Sequence, residues 1–180
     1  MGLDLGGIAK GAGCDIARDI YYEYGITGAL LDIGGNIYAH GTKPDGSLFR
    51  IAFNDPEREG SVFIASIEMQ DEVIAMSGGY ERFFEEDGQR YIHIINTTTG
   101  WPADSDILSV GAFSESGAEA DFWSTTLFIW GKERTLAHME DGGRAVMLDY
   151  DKNLYVSESL RDSFQLHTEG EYNVVFVAGG

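Results

Sequence analysis

Cysteine occurs once in these 180 residues, as Cys14, so the chain closes no internal disulfide and builds no cysteine-based metal site. Basic residues are scarce as well: 12 Lys and Arg stand against 30 Asp and Glu, a formal charge of −18. Such a field opposes nucleic-acid binding, because phosphate contacts need a surface of Lys and Arg. It also repels a nucleotide unless a divalent cation or local basic groups offset it, although an acidic surface equally serves plain solubility. No run of 18 or more apolar residues is present, so no helix is expected to span a membrane. Nor does a basic stretch precede an apolar one, so no signal peptide is encoded in this sequence. Only four histidines occur, and His40, His138 and His167 have no motif around them, which argues against a three-histidine zinc centre. Repeats, coiled-coil heptads, low-complexity segments and long linkers are all missing.

What is present suits one sizeable core. Apolar residues make up 43%, with ten Phe, nine Tyr and three Trp, and a chain of this length buries roughly 70% of its extended surface. A single domain over 1–180 is expected.

The most informative stretch runs from Asp4 through Leu5, Gly6, Gly7, Ile8, Ala9 and Lys10 to Gly11. Its glycines allow close backbone approach to a ligand. Ile8, Ala12, Ile16, Ile20 and Tyr24 follow at intervals of four, which predicts a helix with one buried stripe. A glycine turn feeding a helix with Lys10 in its first turn is a plausible seat for an anion; an ordinary tight turn with a solvent-facing lysine explains it equally. Gly25 and Gly28 end this helix.

Strands are expected over 29–33, 37–39, 48–53, 62–69, 72–76, 90–96, 107–113, 144–150, 154–157 and 172–177, with 164–166 as a further short one. Asp32, inside the first, either accepts backbone hydrogens from the Gly34-Gly35-Asn36 turn or shapes a polar pocket. A long helix is expected over 118–130, stopped by Gly131, and a short third helix over 134–139. The order lacks a regular βαβ rhythm. It reads as an α+β fold of mostly antiparallel sheets packed with two longer helices.

Two places could carry chemistry. Asp121 and Thr125 are four apart on one face of the second helix, a hard-oxygen pair suited to Mg²⁺ or Ca²⁺. Against that, Thr125 can bond a carbonyl one turn back and Asp121 can sit near the amide dipole. His93, expected mid-strand on the face of Tyr91, is as easily structural as catalytic.

Taken together, five ordered segments resemble the ApbE family of FAD:protein FMN transferases. They are Asp4 to Gly11 with Asp15; Leu31-Asp32-Ile33-Gly34-Gly35-Asn36; Ser77-Gly78 followed by Tyr80-Glu81-Arg82; Tyr91 to Ile95 with Thr99-Gly100-Trp101-Pro102; and Ala120 to Thr125 with Leu127, Phe128 and Gly131. The resemblance implies Mg²⁺-dependent transfer of FMN from FAD to a Ser or Thr hydroxyl of a target flavoprotein, releasing AMP. It implies metal ligands at Ala9, Asp121 and Thr125, and catalytic roles for His93 and Asp121. FAD contacts are implied at Lys10, Gly6, Gly7, Ser77, Gly78, Tyr91 and Thr99. Asn96-Thr97 stands where the family carries Asp-Pro, and Lys10-Gly11-Ala12-Gly13 lacks the usual aromatic. Family members usually carry a long segment before the first motif, which this sequence does not contain. They are usually anchored on the outer face of the cytoplasmic membrane; taken as complete, this chain would be cytoplasmic. Two other readings use the same residues: an FAD pyrophosphatase yielding FMN and AMP, and a non-catalytic flavin binder or structural remnant that self-associates through exposed edges.

Overall fold

Strands that are apolar on both faces need cover on both, and the chain supplies it with helices on one side and a second sheet on the other. The computed structural model describes residues 2–56, 63–80, 83–87 and 89–180. Helix α1 spans Ala9–Glu23 and α2 spans Gly117–Glu140. Strands β1 to β5 are Gly28–Ile33, Asn36–Gly41, Phe49–Asn54, Phe63–Met69 and Glu72–Gly78. Short pieces follow: β6 Phe83–Glu86, β7 Gln89–Ile92, β8 Ile95–Asn96 and β9 Trp101–Pro102. The last strands are β10 Ile107–Ser114, β11 Ala145–Asp149, β12 Asn153–Ser157, β13 Phe164–Leu166 and β14 Asn173–Val177.

The main sheet has seven strands in the order β1-β2-β5-β10-β11-β12-β14. All neighbours are antiparallel except β12 and β14. A second sheet, β13-β4-β3, covers one face. Alternation along the central strands sorts side chains between the layers. Ile74, Val146 and Leu148 pack with Ile51, Phe53, Ile64 and Ile67 of the second sheet. Val73 and Ala75 turn the other way onto Cys14 and Ala120, and Val110, Ala112 and Met147 onto Leu127, Phe128 and Met139. Each such Ile or Leu withdrawn from water contributes about 1.5–3 kcal/mol. The expected α+β architecture with mostly antiparallel sheets is what forms.

Two local expectations are corrected. The stripe predicted to be buried on α1 faces outward: Ile8, Ile16, Ile20 and Tyr24 are 39%, 63%, 46% and 75% exposed. The buried face carries Gly11 and Cys14 instead. Small residues win because α1 crosses α2 at backbone contact. A Cβ on Gly11 would lie 1.9 Å from Gly117 O, and one on Gly117 2.2 Å from Gly11 O. The strand expected over 90–96 breaks at His93 and Ile94, between β7 and β8. The expected stop at Gly131 does appear as a kink. Gly131 adopts φ 77°, and Asp106 Oδ1 accepts the following Lys132 amide at 2.8 Å, which restarts the helix. Among the described residues no helix is long and apolar enough to cross a membrane.

Candidate functional site

The glycine turn is set by its own backbone. Asp4 Oδ1 accepts the Gly6 amide at 2.7 Å, and Leu5 O accepts the amides of Ile8 and Ala9 at 3.0 and 2.9 Å. Ile8, at the N-cap position of α1, offers no side-chain acceptor, so one early amide of that helix needs a partner from elsewhere. Asp121 supplies it: its Oδ2 accepts the Gly11 amide at 2.9 Å. The exchange runs both ways. Asp15 of α1 accepts the Gly117 and Ala118 amides that open α2, at 2.8 and 3.0 Å. Each helix therefore caps the other's N-terminus with a carboxylate, where the helix dipole favours negative charge. This pairing, with the glycine crossing, brings two distant motifs together.

Around Asp121 the other groups converge. Lys10 Nζ lies 4.0 Å from Asp121 Oδ1 and donates to Gly34 O at 3.4 Å. Thr125 is one turn further along α2 and lies against the glycine turn: a Cβ on Gly7 would stand in ordinary contact with Thr125 Oγ1 at 3.8 Å. Ser77 Oγ donates to Ser124 Oγ at 3.0 Å, and Ser124 Oγ donates to Asp121 O at 3.0 Å, tying the end of β5 to the same helical turn. Gly6, Ala9, Lys10, Ser77, Gly78, His93, Asp121 and Thr125 all line one cavity of about 400 Å³. Gly34, Met76 and Ile94 complete its wall.

Three expected residues do not line the cavity: Gly7, which lies beside Thr125 in the glycine turn, and two that lie elsewhere. Tyr91 stacks on Phe84 in the β6–β7 hairpin, ring centroids 5.0 Å apart. Thr99 is spent on its own turn, its hydroxyl accepting the Trp101 amide at 3.2 Å. Neither is among the residues that line the cavity. Glu81 and Arg82 fall outside the described residues. Gly34, Met76, Ile94 and Ser124 were missed as site residues. Gly34, Ile94 and Ser124 belong to the quoted motifs, whereas Met76 carries no chemical signal and owes its place to β5.

The electrostatic field is that of a recessed carboxylate. Asp121 is 2% exposed. Burial pushes the Cys14 thiol up to about 11, with Asp15, Asp121 and Asp32 adding to the rise, so Cys14 stays a protonated core residue. Among the described residues no cluster of three or more His, Cys, Asp or Glu could hold a metal. The donors at hand are of another kind: the Asp121 carboxylate and the Thr125 hydroxyl belong to residues of the same cavity wall, and Ala9 lines it as well. Hard oxygens with few formal charges fit Mg²⁺, which keeps several of its waters and shares phosphate oxygens with a ligand. The ammonium of Lys10 beside Asp121 indicates that positive charge belongs there.

Comparison with known proteins adds an independent line. The ApbE family model matches residues 1–148. A FAD:protein FMN transferase of Treponema pallidum is 36% identical over 172 residues, 90% of this chain and 48% of its own length. One from Vibrio cholerae is 40% identical over 138 residues, 77% of this chain and 41% of its own. The crystal structure of the ApbE protein from Thermotoga maritima superposes with a TM-score of 0.81 at 31% identity, over 89% of this chain and 53% of that one. The flavin transferase ApbE from Vibrio cholerae gives 0.74 at 36%, over 87% and 51%. The chain thus spans about half the length of the curated relatives it matches.

Proposed function

Because the chain belongs to the ApbE family, we propose that it transfers FMN from FAD to a Ser or Thr hydroxyl of a target flavoprotein and releases AMP. The observation that carries the reading is the convergence of Ala9, Lys10, His93, Asp121 and Thr125 on one cavity. In the reaction the acceptor oxygen forms a bond to the phosphorus on the FMN side of the diphosphate. The bond from that phosphorus to the bridging oxygen breaks, AMP leaves with the electron pair, and the hydroxyl proton passes to His93.

Each residue has a task the chemistry requires. Asp121, Thr125 and the Ala9 carbonyl would hold Mg²⁺, which when bound neutralises charge on the diphosphate. Lys10 adds a mobile positive charge for a phosphate oxygen. Gly6 and Gly7 keep the turn free of side chains, so that a diphosphate can approach the backbone. His93, exposed in the break between β7 and β8, can meet an acceptor arriving from solvent and take its proton as a general base.

The test is incubation with FAD, Mg²⁺ and a threonine-containing acceptor peptide, read by intact mass and nucleotide chromatography. An FMN adduct on the peptide with AMP released is expected. Free FMN with AMP would mean that water takes the acceptor position, and unchanged FAD would refute turnover altogether. Asp121→Ala should abolish the Mg²⁺-dependent part, whereas His93→Ala should reduce transfer more than it reduces FAD binding.

A further inference from the structure

Beneath the candidate site the core encloses one polar side chain that the fold itself does not use. Asn36 opens β2 directly after the Gly34-Gly35 turn and is 0% exposed. Neither its Oδ1 nor its Nδ2 bonds any described residue. A buried amide left without partners costs stability, and native chains keep few such groups. The sheet register fixes where this one points. Asn36 stands opposite Ala75 of β5, and residues paired across an antiparallel ladder face the same way. Ala75 packs with Cys14 of α1 and Ala120 of α2, so the Asn36 side chain rises into the layer where the two helices cross.

That layer is where Asp121 is held. Asp121 follows Ala120 on α2, and its Oδ2 accepts the Gly11 amide at 2.9 Å. Lys10 Nζ stands between Gly34 O, at 3.4 Å, and Asp121 Oδ1, at 4.0 Å, which ties the turn before Asn36 to the same carboxylate. Cys14 Sγ lies 3.8 Å from Asn36 O. A carboxylate has about four acceptor positions, so Asp121 can take more than the Gly11 amide. The Asn36 amide offers two donors and an acceptor but makes no direct bond to it. One water matches both, since buried waters make about three hydrogen bonds to such groups, and Cys14, Ala75 and Ala120 beside it are small. We propose that Asn36 is a positioning residue for Asp121: through one buried water its amide steadies the carboxylate, so that Asp121 keeps an oxygen turned to the cavity for Mg²⁺. Groups behind a metal ligand fix its orientation in this way. The inference rests on the proposed Mg²⁺ site for what Asp121 holds, but the bridge itself is observable without metal.

A high-resolution crystal structure of the unaltered full chain should show a solvent peak within about 3.2 Å of both an Asn36 amide atom and an Asp121 carboxylate oxygen. FAD binding is then titrated with and without Mg²⁺ in two variants, each with its urea midpoint. Asn36→Leu keeps the size and removes the polarity; Asn36→Ser keeps a hydroxyl and leaves room for water. Asn36→Leu should weaken the Mg²⁺-dependent binding about 10- to 100-fold, with Mg²⁺-free binding and the urea midpoint little changed. Asn36→Ser should recover most of that loss. Three results overturn the inference: no peak joining the two residues, Mg²⁺-dependent binding in Asn36→Leu as tight as in the unaltered chain, or equal losses with and without Mg²⁺, which would make Asn36 purely structural. If Asn36→Leu does not fold, the solvent peak decides. If the unaltered chain shows no Mg²⁺-dependent binding, the Mg²⁺ reading fails, and the solvent peak alone upholds or rejects the bridge from Asn36 to Asp121.

Discussion

Replacing Gly11 with alanine is the sharpest test of how the site is assembled, because intrinsic propensity and packing predict opposite signs. In a helix interior Gly→Ala ordinarily stabilises by about 1 kcal/mol. At Gly11 the new Cβ would lie 1.9 Å from Gly117 O, 2.4 Å from Gly117 C and 2.8 Å from Asp121 Cβ. Ordinary contact begins near 3.4 Å, so 3.4 − 1.9 leaves 1.5 Å to be found, and the obstructing oxygen is backbone. The helices must separate, which strains the Gly11 amide bond to Asp121 and the Asp15 bonds to Gly117 and Ala118. Overpacking costs about 1–3 kcal/mol and a lost hydrogen bond to a charged group about 1.5–3 kcal/mol. After the propensity gain, a net loss of about 1.5–5 kcal/mol remains. For a chain of this size that lowers Tm by roughly 3–20 °C. Gly13 in the same helix is the control: its added Cβ meets only the flexible Ile33 Cδ1 at 3.0 Å, so Gly13→Ala should be neutral or stabilising by about 0.5–1 kcal/mol. Urea denaturation of both variants decides the matter. If Gly11→Ala is as stable as Gly13→Ala, the backbone crossing of α1 and α2 is refuted.

Ile16, 63% exposed on the outer face of α1, should tolerate glutamate with a change within about 0.5 kcal/mol in chemical denaturation. A loss of 2 kcal/mol or more would mean that another polypeptide covers this face in solution. His138 gives a pH prediction: burial, against the Trp123 ring 4.4 Å away, holds its pKa below the ordinary 6.5, and Asp141 opposes this only in part. The unfolded chain therefore binds more protons just below pH 6.5, and stability falls as pH drops through that window, while above it this contribution is flat. The urea midpoint should fall between pH 7 and pH 5.5, and less so in His138→Gln; equal falls would refute the assignment.

Much of this was legible in the sequence where a local rule and the tertiary demand agreed. The strand at Phe164–Leu166, the break at Gly131 and the α+β class follow from apolar runs and glycine placement that packing had no reason to override. The ordered motifs brought Lys10, His93, Asp121 and Thr125 under consideration, and all four line the same cavity. The buried face of α1 differs from the predicted one for a definite reason: a four-residue period identifies a stripe but not what lies opposite it. Here the opposite face bears Gly11 and Cys14, and backbone approach to Gly117 outweighs the burial that four larger side chains would have gained. Tyr91 to Ile95 alternates well enough to predict an unbroken strand, yet β7 ends at Ile92 and β8 begins at Ile95. The amide of Ala103 bonds Ile94 O at 2.8 Å, a tie across the intervening turn that alternation does not reveal. Tyr91 and Thr99 entered on the resemblance alone and sit with Phe84 and Asn96 instead.

The mutual arrangement of Asp15 and Asp121 has a consequence for biosynthesis. The two acids and the amides they satisfy are 102 to 110 positions apart, so on a translating ribosome the first helical segment waits, its opening turn unquenched, until the second has left the exit tunnel. A nascent chain halted before residue 121 should therefore hold the early glycines loosely, with the turn ordering in a single late step.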